Sequence, residues 1–273
     1  MRVMLRNLFM CLFLLAPAAG AQAQFDMRST EARNSPNNWN ISIGARFAAQ
    51  PAFEGSRDMA FALRPQFSMG RGLGSRWLSM EDDNISIGLI NGDRWRFGVT
   101  GRLVWNRDEK SRGALTGLGN TRFGGEAGVF AEFYPTDWLR ARVDLRHGFV
   151  AHRSLMADLK LDAFTKLGNG WTIAAGPRIQ LAGDDYMDTY FGVNAVQSPR
   201  SGLRAYNPAG GVLSYGVAAQ VSYQWTPRVE TTAFVQYSRL AVEAARGPLV
   251  SQRGRADQLS VGVATRWTID TGF

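Results

Sequence analysis

The chain has 273 residues, of which 45% are hydrophobic and 20% charged, an ordinary composition for a folded protein. Beyond its amino-terminal segment it contains no run of about 20 apolar residues, so helical membrane spans are excluded and a soluble fold or a membrane β-barrel remains. The formal net charge is +8 at pH 7, but the basic residues are spread out and no nucleic-acid-binding motif is present, which argues against nucleic acid as a partner.

Residues 1–23 have the features of a secretory signal peptide. A positively charged start is followed by the apolar stretch 8–15 and by the small residues of 21–23, where a signal peptidase would cleave. We therefore predict that the mature chain begins at Gln24, and that the polar, unpatterned residues 24–38 form a periplasmic leader.

Removal of this segment changes the charge and the cysteine content. Two of the 31 basic residues and none of the 23 acidic residues lie in 1–23, which leaves a net charge of +6. Cys11 is the only cysteine and lies in the same segment, so the mature chain can form neither disulfides nor Cys-based metal or nucleophile sites. Nearly all of the positive charge is Arg, which binds phosphate in a bidentate way, so anionic lipid is an expected partner.

From Trp39 onward, apolar and polar residues alternate with a period of two, which predicts strands with one apolar face. Many of these runs are longer than the 5–6 residues or so typical of soluble proteins and long enough to cross a membrane at a tilt. A soluble β-sandwich is the alternative. A barrel of ten strands also remains possible, because alternation is weak over 75–90. The twelve predicted strands are 39–47, 59–69, 75–80, 83–90, 94–106, 122–134, 137–149, 153–166, 170–182, 211–225, 228–240 and 257–270.

Short and long connections alternate between these strands. Outer-membrane barrels have short periplasmic turns and long extracellular loops, and an even number of strands places both termini in the periplasm. The chain ends in Phe273, and a terminal aromatic residue after an alternating strand resembles the recognition signal of the outer-membrane assembly machinery. We therefore predict an all-β fold: a transmembrane, antiparallel, up-and-down β-barrel over residues 39–273, located in the outer membrane with its lipid and lipopolysaccharide as partners.

Charged residues recur on the face that alternation turns toward the lumen. Two interpretations are open: Arg–carboxylate pairs fill a closed barrel, or net-positive walls line a small pore that favours anions. The basic members are Arg46, Arg64, Arg96, Arg102, Arg140, Arg142, Arg146, Arg178 and Arg266, and the acidic members are Glu126, Glu132, Asp144, Asp158, Asp162 and Glu230.

The segment 184–206 is the most distinctive stretch of the sequence. It begins Asp-Asp-Tyr-Met-Asp-Thr-Tyr-Phe-Gly-Val and continues with Gln-Ser-Pro-Arg-Ser-Gly-Leu at 197–203. With the stretches 51–56, 115–120, 237–240 and 248–250, it resembles the MltA-interacting protein (MipA/OmpV) family of outer-membrane proteins.

The resemblance extends over essentially the whole mature chain. It implies a barrel without enzymatic activity that serves as a scaffold, bringing a lytic transglycosylase together with a penicillin-binding protein for peptidoglycan (murein) growth. Other members are described as porin-like or as adhesins. These roles remain alternatives.

The same segment supplies the candidate site. It lies in the longest predicted extracellular loop, and one hypothesis is a Ca²⁺ or ligand site built from its three carboxylates. The other is a latch that folds into the barrel mouth and is held by Asp–Arg pairs and Tyr hydrogen bonds. The candidate residues are Asp184, Asp185, Tyr186, Asp188, Tyr190, Arg200 and Arg204.

The two histidines raise the possibility of a lipid hydrolase. His152 and Ser154 are two residues apart and would share one face of a strand, but that face is lumenal, away from the acyl chains of the bilayer. We expect His152 to be a loop residue near the extracellular rim and His147 to lie at the membrane interface. No catalytic residue, cofactor or metal is therefore predicted.

Overall fold

A computed structural model describes residues 38–71, 77–81 and 84–271 of the chain. The predicted signal peptide, the predicted leader up to residue 37 and Phe273 lie outside the described residues.

The described residues form one closed β-barrel. Consecutive strands pair in chain order, and β1 pairs with β12 to close the sheet. A closed sheet rules out the sandwich. The strands are β1 (Trp39–Pro51), β2 (Met59–Arg71), β3 (Leu78–Glu81), β4 (Asn84–Asn91), β5 (Trp95–Val104), β6 (Gly124–Thr136), β7 (Leu139–Phe149), β8 (Leu155–Gly168), β9 (Trp171–Ala182), β10 (Gly211–Thr226), β11 (Val229–Leu240) and β12 (Asp257–Asp270).

The twelve-strand prediction is confirmed, and the ten-strand alternative is wrong. The weakly patterned region forms two real strands, because Met80 of β3 pairs with Phe67 of β2 on one side and with Ile85 of β4 on the other. β1 also extends beyond its predicted end at Phe47 to Pro51. Phe47 therefore lies within the wall, stacked on Phe61 with ring centroids 5.6 Å apart, and not at a strand end.

The outer surface of the barrel is apolar. Alternation turns residues such as Phe47, Phe61 and Val129 outward, and Phe61 is 73% exposed. A soluble monomer rarely exposes contiguous apolar patches above a few hundred Å², whereas this surface surrounds the sheet. It is therefore the surface that contacts lipid acyl chains, and the protein is an outer-membrane β-barrel.

The two ends of the barrel differ in their connections. One end carries short turns, and the other carries loops with a 3-10 helix (Gly113–Leu115) and four helices: α1 (Asp184–Phe191), α2 (Gln197–Ser201), α3 (Val242–Arg246) and α4 (Pro248–Arg253). Long loops face outward in outer-membrane barrels, so the loop end is extracellular. No helix in the described part of the chain is long and apolar enough to cross a membrane.

Tryptophans mark the periplasmic end. Of the eight in the chain, only Trp105 lies at the extracellular end, where it contacts Phe123. Indole rings favour the membrane–water interface, so those that lie in the strands of the wall form an aromatic girdle on one side. The seven periplasmic residues are Trp39, Trp77, Trp95, Trp138, Trp171, Trp225 and Trp267.

Candidate functional site

The lumenal face of β5–β9 is lined by a network of buried ion pairs. Arg142 donates from Nη1 to Glu132 at 2.7 Å and from Nε to Asp144 at 2.8 Å. Arg146, with only 1% of its surface exposed, binds Glu126 and Asp158, each at 2.7 Å. Both arginines therefore have opposite charges within hydrogen-bonding distance, which a low-dielectric interior requires.

The network continues toward the periplasmic end. Arg140 donates to Asp162 at 2.6 Å, and Arg178 donates to the other oxygen of the same carboxylate. Lys160 lies 3.6 Å from Asp144. Side chains of this length fill the space inside a narrow barrel, so this wall resembles the interior of a soluble protein more than the lining of a pore.

The opposite wall, formed by β1, β2 and β10–β12, is mostly uncharged. It carries small residues joined by hydroxyl pairs, such as Ser42–Thr268 at 2.8 Å and Ser222–Thr232 at 2.7 Å. Toward the periplasmic end several of its lumenal residues are only half-buried. Its charged members are Arg46, Arg64, Arg266 and Glu230, with Asp270 at the periplasmic end of β12.

The extracellular mouth is closed by residues 184–206, which we call the plug. Helix α1 turns Tyr186, Met187, Tyr190 and Phe191 into the barrel, where they form the centre of an apolar cluster. The period of the helix explains the pattern, because residues one turn apart share a face. The aspartates of α1 fall on the opposite, exposed face.

The other loops pack around the plug. The β5–β6 loop approaches α2 so closely that a Cβ on Gly117, which has φ +83, would lie 2.5 Å from the carbonyl oxygen of Arg200. Gln197 donates to the carbonyl of Leu118 at 2.6 Å, and Leu249 of α4 joins a second apolar cluster with Leu118. The stretches that carry the family resemblance therefore meet at this one end of the barrel.

Beneath α1 lies a chain of polar contacts. The hydroxyl of Tyr186 donates to Glu54 at 2.8 Å. His152 packs edge-on against Tyr186, with centroids 4.9 Å apart, and its Nε2 lies 3.2 Å from Glu126. Through Glu126 the chain joins Arg146 and so connects the plug to the ion-pair network of the wall.

Burial shifts the pKa values of the loop residues that take part in these polar contacts or lie beside them. Desolvation raises the pKa of Glu54 to about 7, against the lowering effects of the Tyr186 hydrogen bond and the charge of Arg102. Burial also raises the pKa values of Tyr186 and Tyr190, and desolvation lowers that of Arg107. Glu54 is thus a loop group whose charge changes near neutral pH.

The predicted Asp–Arg pairs within the plug are not formed in the structure. Asp184 accepts from the backbone N–H of Gly210 at 2.5 Å, Asp185 accepts from that of Arg153, and Asp188 is exposed. The arginines interact elsewhere: Arg200 lies 3.4 Å from Glu109, and Arg204 donates to the carbonyl of Arg246 at 3.1 Å. The helical spacing of α1 separates its aspartates from the two arginines. Residues of other loops interact with the arginines instead.

The calcium hypothesis gains no support from this geometry. The carboxylates of α1 bind backbone amides or face solvent, and across residues 38–71, 77–81 and 84–271 no group of three or more His, Cys, Asp or Glu side chains is arranged to hold a metal ion.

Sequence reasoning missed two members of the polar chain. Glu54 lies in the stretch 51–56, which pointed to a family but not to a contact with Tyr186, 132 residues away. His152 was expected at the rim but is buried inside the mouth, with 2% of its surface exposed. Its lumenal parity was the available signal. Its Nε2 bonds to Glu126, and no hydrogen bond joins it to Ser154 in the described structure.

Comparison with known proteins identifies the family. The profile of the family described as MltA-interacting protein MipA matches residues 43–269, which is most of the chain. The chain belongs to the MipA family. No curated protein matches this chain in sequence.

Solved barrels resemble it only distantly. A structure titled bacterial polysaccharide outer membrane secretin is 10% identical, with TM-score 0.47, covering 86% of this chain and 100% of that one. A structure titled KdgM porin is 10% identical, with TM-score 0.41, covering 83% and 98%. An anion-selective porin from Comamonas acidovorans is 8% identical, with TM-score 0.38, covering 86% and 100%.

Proposed function

We propose that this MipA-family protein is a non-enzymatic scaffold in the outer membrane. It brings a lytic transglycosylase together with a penicillin-binding protein, so that peptidoglycan cleavage and synthesis occur at one place. The observation that carries the proposal is the closed interior: ion pairs fill one wall of the lumen, and the plug closes the extracellular mouth. A barrel whose extracellular mouth is plugged is better suited to holding partners than to transport.

The partners would bind at the periplasmic end, because peptidoglycan lies in the periplasm. The plug and its family motifs are at the other end, so they would stabilise the barrel without touching the partners. The turn between β6 and β7 offers an exposed side chain at its tip, Trp138, which is 55% exposed. Leu167 of the neighbouring strand β8 is also exposed. The backbone N–H of Phe164 in β8 donates to the carbonyl oxygen of Trp138 at 2.8 Å, so the turn is joined to β8.

The test is capture of purified partners by the purified full-length mature protein in detergent. We expect the wild type to retain a lytic transglycosylase and a bifunctional penicillin-binding protein, and Trp138→Ala to weaken capture several-fold. Val196→Ala is the control, because Val196 is also apolar and exposed but lies in the plug at the extracellular end. Failure of the wild type to retain either enzyme would overturn the scaffold.

A further variant separates two binding regions. The predicted leader could carry the interface in place of the turns, so residues 24–34 are deleted in parallel. Loss of capture on deletion, with Trp138→Ala unchanged, would assign the interface to the leader. Retained capture would assign it to the turns.

A small anion-selective pore is the second candidate. It is favoured by the half-buried, uncharged wall and by the excess of arginine over carboxylate in the lumen. Planar-bilayer recordings separate the two functions. We expect negligible conductance from the wild type and measurable conductance once residues 184–206 are deleted. Stable conductance of the intact protein would replace the closed scaffold by the pore.

A further inference from the structure

One place on the lipid-facing surface of the barrel carries a pair of opposite charges. Among the outward-facing strand residues that the structure describes, only Arg71, Arg239 and Asp257 carry a full charge. Arg71 lies at the periplasmic end of β2, whereas Arg239 and Asp257 lie together at the extracellular end of β11 and β12. A charged pair facing acyl chains is costly, so its position calls for a polar contact from the membrane side.

Two tyrosines complete this group, and we call Tyr215, Tyr237, Arg239 and Asp257 the polar island. Arg239 pairs across the strands with Tyr215 on one side and with Asp257 on the other. Nη1 of Arg239 donates to both oxygens of Asp257, at 2.7 and 2.9 Å, and the hydroxyl of Tyr237 donates to the same carboxylate at 2.6 Å.

These contacts fix the guanidinium without covering it. The side chains of Arg239 and Asp257 remain 48% and 47% exposed. Asp257 is bound through Nη1, and the edge of the guanidinium formed by Nε and Nη2 makes no hydrogen bond to the residues that the structure describes. That edge is the two-donor fork that binds a phosphate in a bidentate way, and Asp257 holds it in place.

The depth of the island matches the outer headgroup layer. Arg239 lies ten residues beyond Val229, which pairs with the girdle residue Trp267 at the periplasmic interface. At about 3.3 Å per residue and a tilt of about 40°, ten residues rise roughly 25 Å along the membrane normal, the height of the apolar band of such barrels. The island therefore lies at the upper edge of that band, where the headgroups of the outer leaflet begin.

We propose that the polar island binds the phosphorylated glucosamine headgroup of lipid A, the anchor of lipopolysaccharide in the outer leaflet. Arg239 binds the phosphate through its Nε and Nη2 edge. Asp257 and the hydroxyls of Tyr215 and Tyr237 accept from and donate to the sugar hydroxyls and amides, and the apolar wall below contacts the acyl chains. A second copy of the chain is a poorer occupant, because four side chains are far smaller than the roughly 1,000 Å² of a stable protein interface. The proposal needs only the outer-membrane location and is independent of the scaffold.

The experiment measures lipid A binding by the purified, folded mature protein in detergent, using native mass spectrometry or equilibrium titration. The probes are diphosphoryl lipid A and the same lipid with both phosphates removed. The test variant is the double substitution Arg239→Gln with Asp257→Asn, which removes both charges of the island and leaves its net charge unchanged. Arg71→Gln is the matched control, an outward arginine at the other end of the barrel. Arg239→Lys retains the charge but lacks the fork.

We expect the double variant to bind diphosphoryl lipid A about tenfold more weakly than the wild type, Arg239→Lys to lie between them, and Arg71→Gln to match the wild type. The wild type should also prefer the phosphorylated lipid. Equal binding by wild type and double variant would overturn the proposal, as would equal binding of the two lipids, which would reduce the island to an interfacial anchor. Self-association that the double variant abolishes in the absence of lipid A would overturn it in favour of a second copy.

Discussion

The two walls of the lumen are built by different means. On β5–β9 many inward positions carry long charged side chains that pair with opposite charges, as Arg140 does with Asp162 at 2.6 Å. On β1, β2 and β10–β12 they are mainly short hydroxyl and small residues, and the Arg46 guanidinium packs 3.8 Å from the centre of the Phe234 ring. Apolar and polar residues alternate in the same way in both walls. The alternation that forms the barrel therefore does not determine whether the inward residues are charged or uncharged.

The two walls should therefore differ in their sensitivity to substitution. A buried ion-pair network fails when one member is lost, because the partner is left charged and without water. A wall of small hydroxyl residues loses one modest hydrogen bond at a time. We therefore expect a substitution in the charged wall to destabilise the barrel more than a substitution in the uncharged wall.

The largest expected effect is on the charged wall. Asp162→Ala removes the carboxylate shared by Arg140 and Arg178, and we expect it to lower the free energy of unfolding by about 3–5 kcal/mol. Urea unfolding of the protein folded into lipid vesicles, followed by tryptophan fluorescence, measures the loss. The control on the other wall is Ser222→Ala, which breaks the bond to Thr232 and should cost about 1 kcal/mol or less. Losses of equal size would show that the walls do not differ.

The next effect is the response of the plug to pH. Glu54 has a pKa of about 7 in the folded loop against an ordinary value of 4.5, so below pH 4.5 the carboxyl is neutral whether the plug is closed or open. As the pH rises toward 7 the open state ionises first, and the closed state loses stability progressively. The loss is at most about 3 kcal/mol for the full shift, and smaller because Glu54 is partly exposed to water.

Amide hydrogen exchange of α1 measures this dependence. Corrected for the intrinsic pH dependence of exchange, protection of α1 in the wild type should fall between pH 5 and pH 8. In Glu54→Gln, which still accepts a hydrogen bond from Tyr186, it should stay constant. Identical pH profiles for the two proteins would remove Glu54 as the titrating group.

A smaller effect is expected from Tyr186→Phe. The substitution deletes only the hydroxyl that donates to Glu54, so the apolar packing of α1 is retained and the carboxyl loses one donor. We expect the plug to lose about 1–2 kcal/mol, read from the same exchange experiment, with no change in the unfolding of the barrel. A loss that appears equally in global unfolding would mean that plug and wall unfold as one unit.

The smallest effect is expected at the outer surface of the plug. The Arg200–Glu109 pair is 3.4 Å long, and the Arg200 side chain is half exposed. Arg200→Ala should therefore change stability by less than about 1 kcal/mol, and the difference should disappear in high salt. A larger, salt-independent loss would indicate that Arg200 acts through packing against the β5–β6 loop.

The sequence predicts the barrel well because its dominant rule is local. Period-two alternation identifies each strand and decides which side chains face lipid, so even β3 and β4 were found from faint patterns. The partners of the inward charges follow from register: Arg140 faces Asp162 across β7 and β8. Alternation alone does not determine that register, because it gives the face on which a residue lies but not its partner on the next strand.

The interior of the mouth could not be predicted in the same way. Its contacts join loops that are distant in the chain, as Glu54 and Tyr186 are, and its helices are too short for a periodic pattern to identify them. The charges of 184–206 suggested pairs within the segment, but helix α1 turned the aspartates to solvent and other loops supplied the partners of the arginines. The partners of these charged residues therefore depend on tertiary packing, which the local composition of the segment does not determine.

The one-sided placement of the indoles has a practical consequence. Because seven of the eight tryptophans lie at the periplasmic end, intrinsic fluorescence of this protein reports almost entirely on the inner leaflet of the bilayer. A quencher confined to that leaflet would extinguish most of the emission, while one confined to the outer leaflet would reach Trp105 alone. The distribution provides an optical measure of orientation, so the direction in which the barrel has inserted can be read without attaching a label.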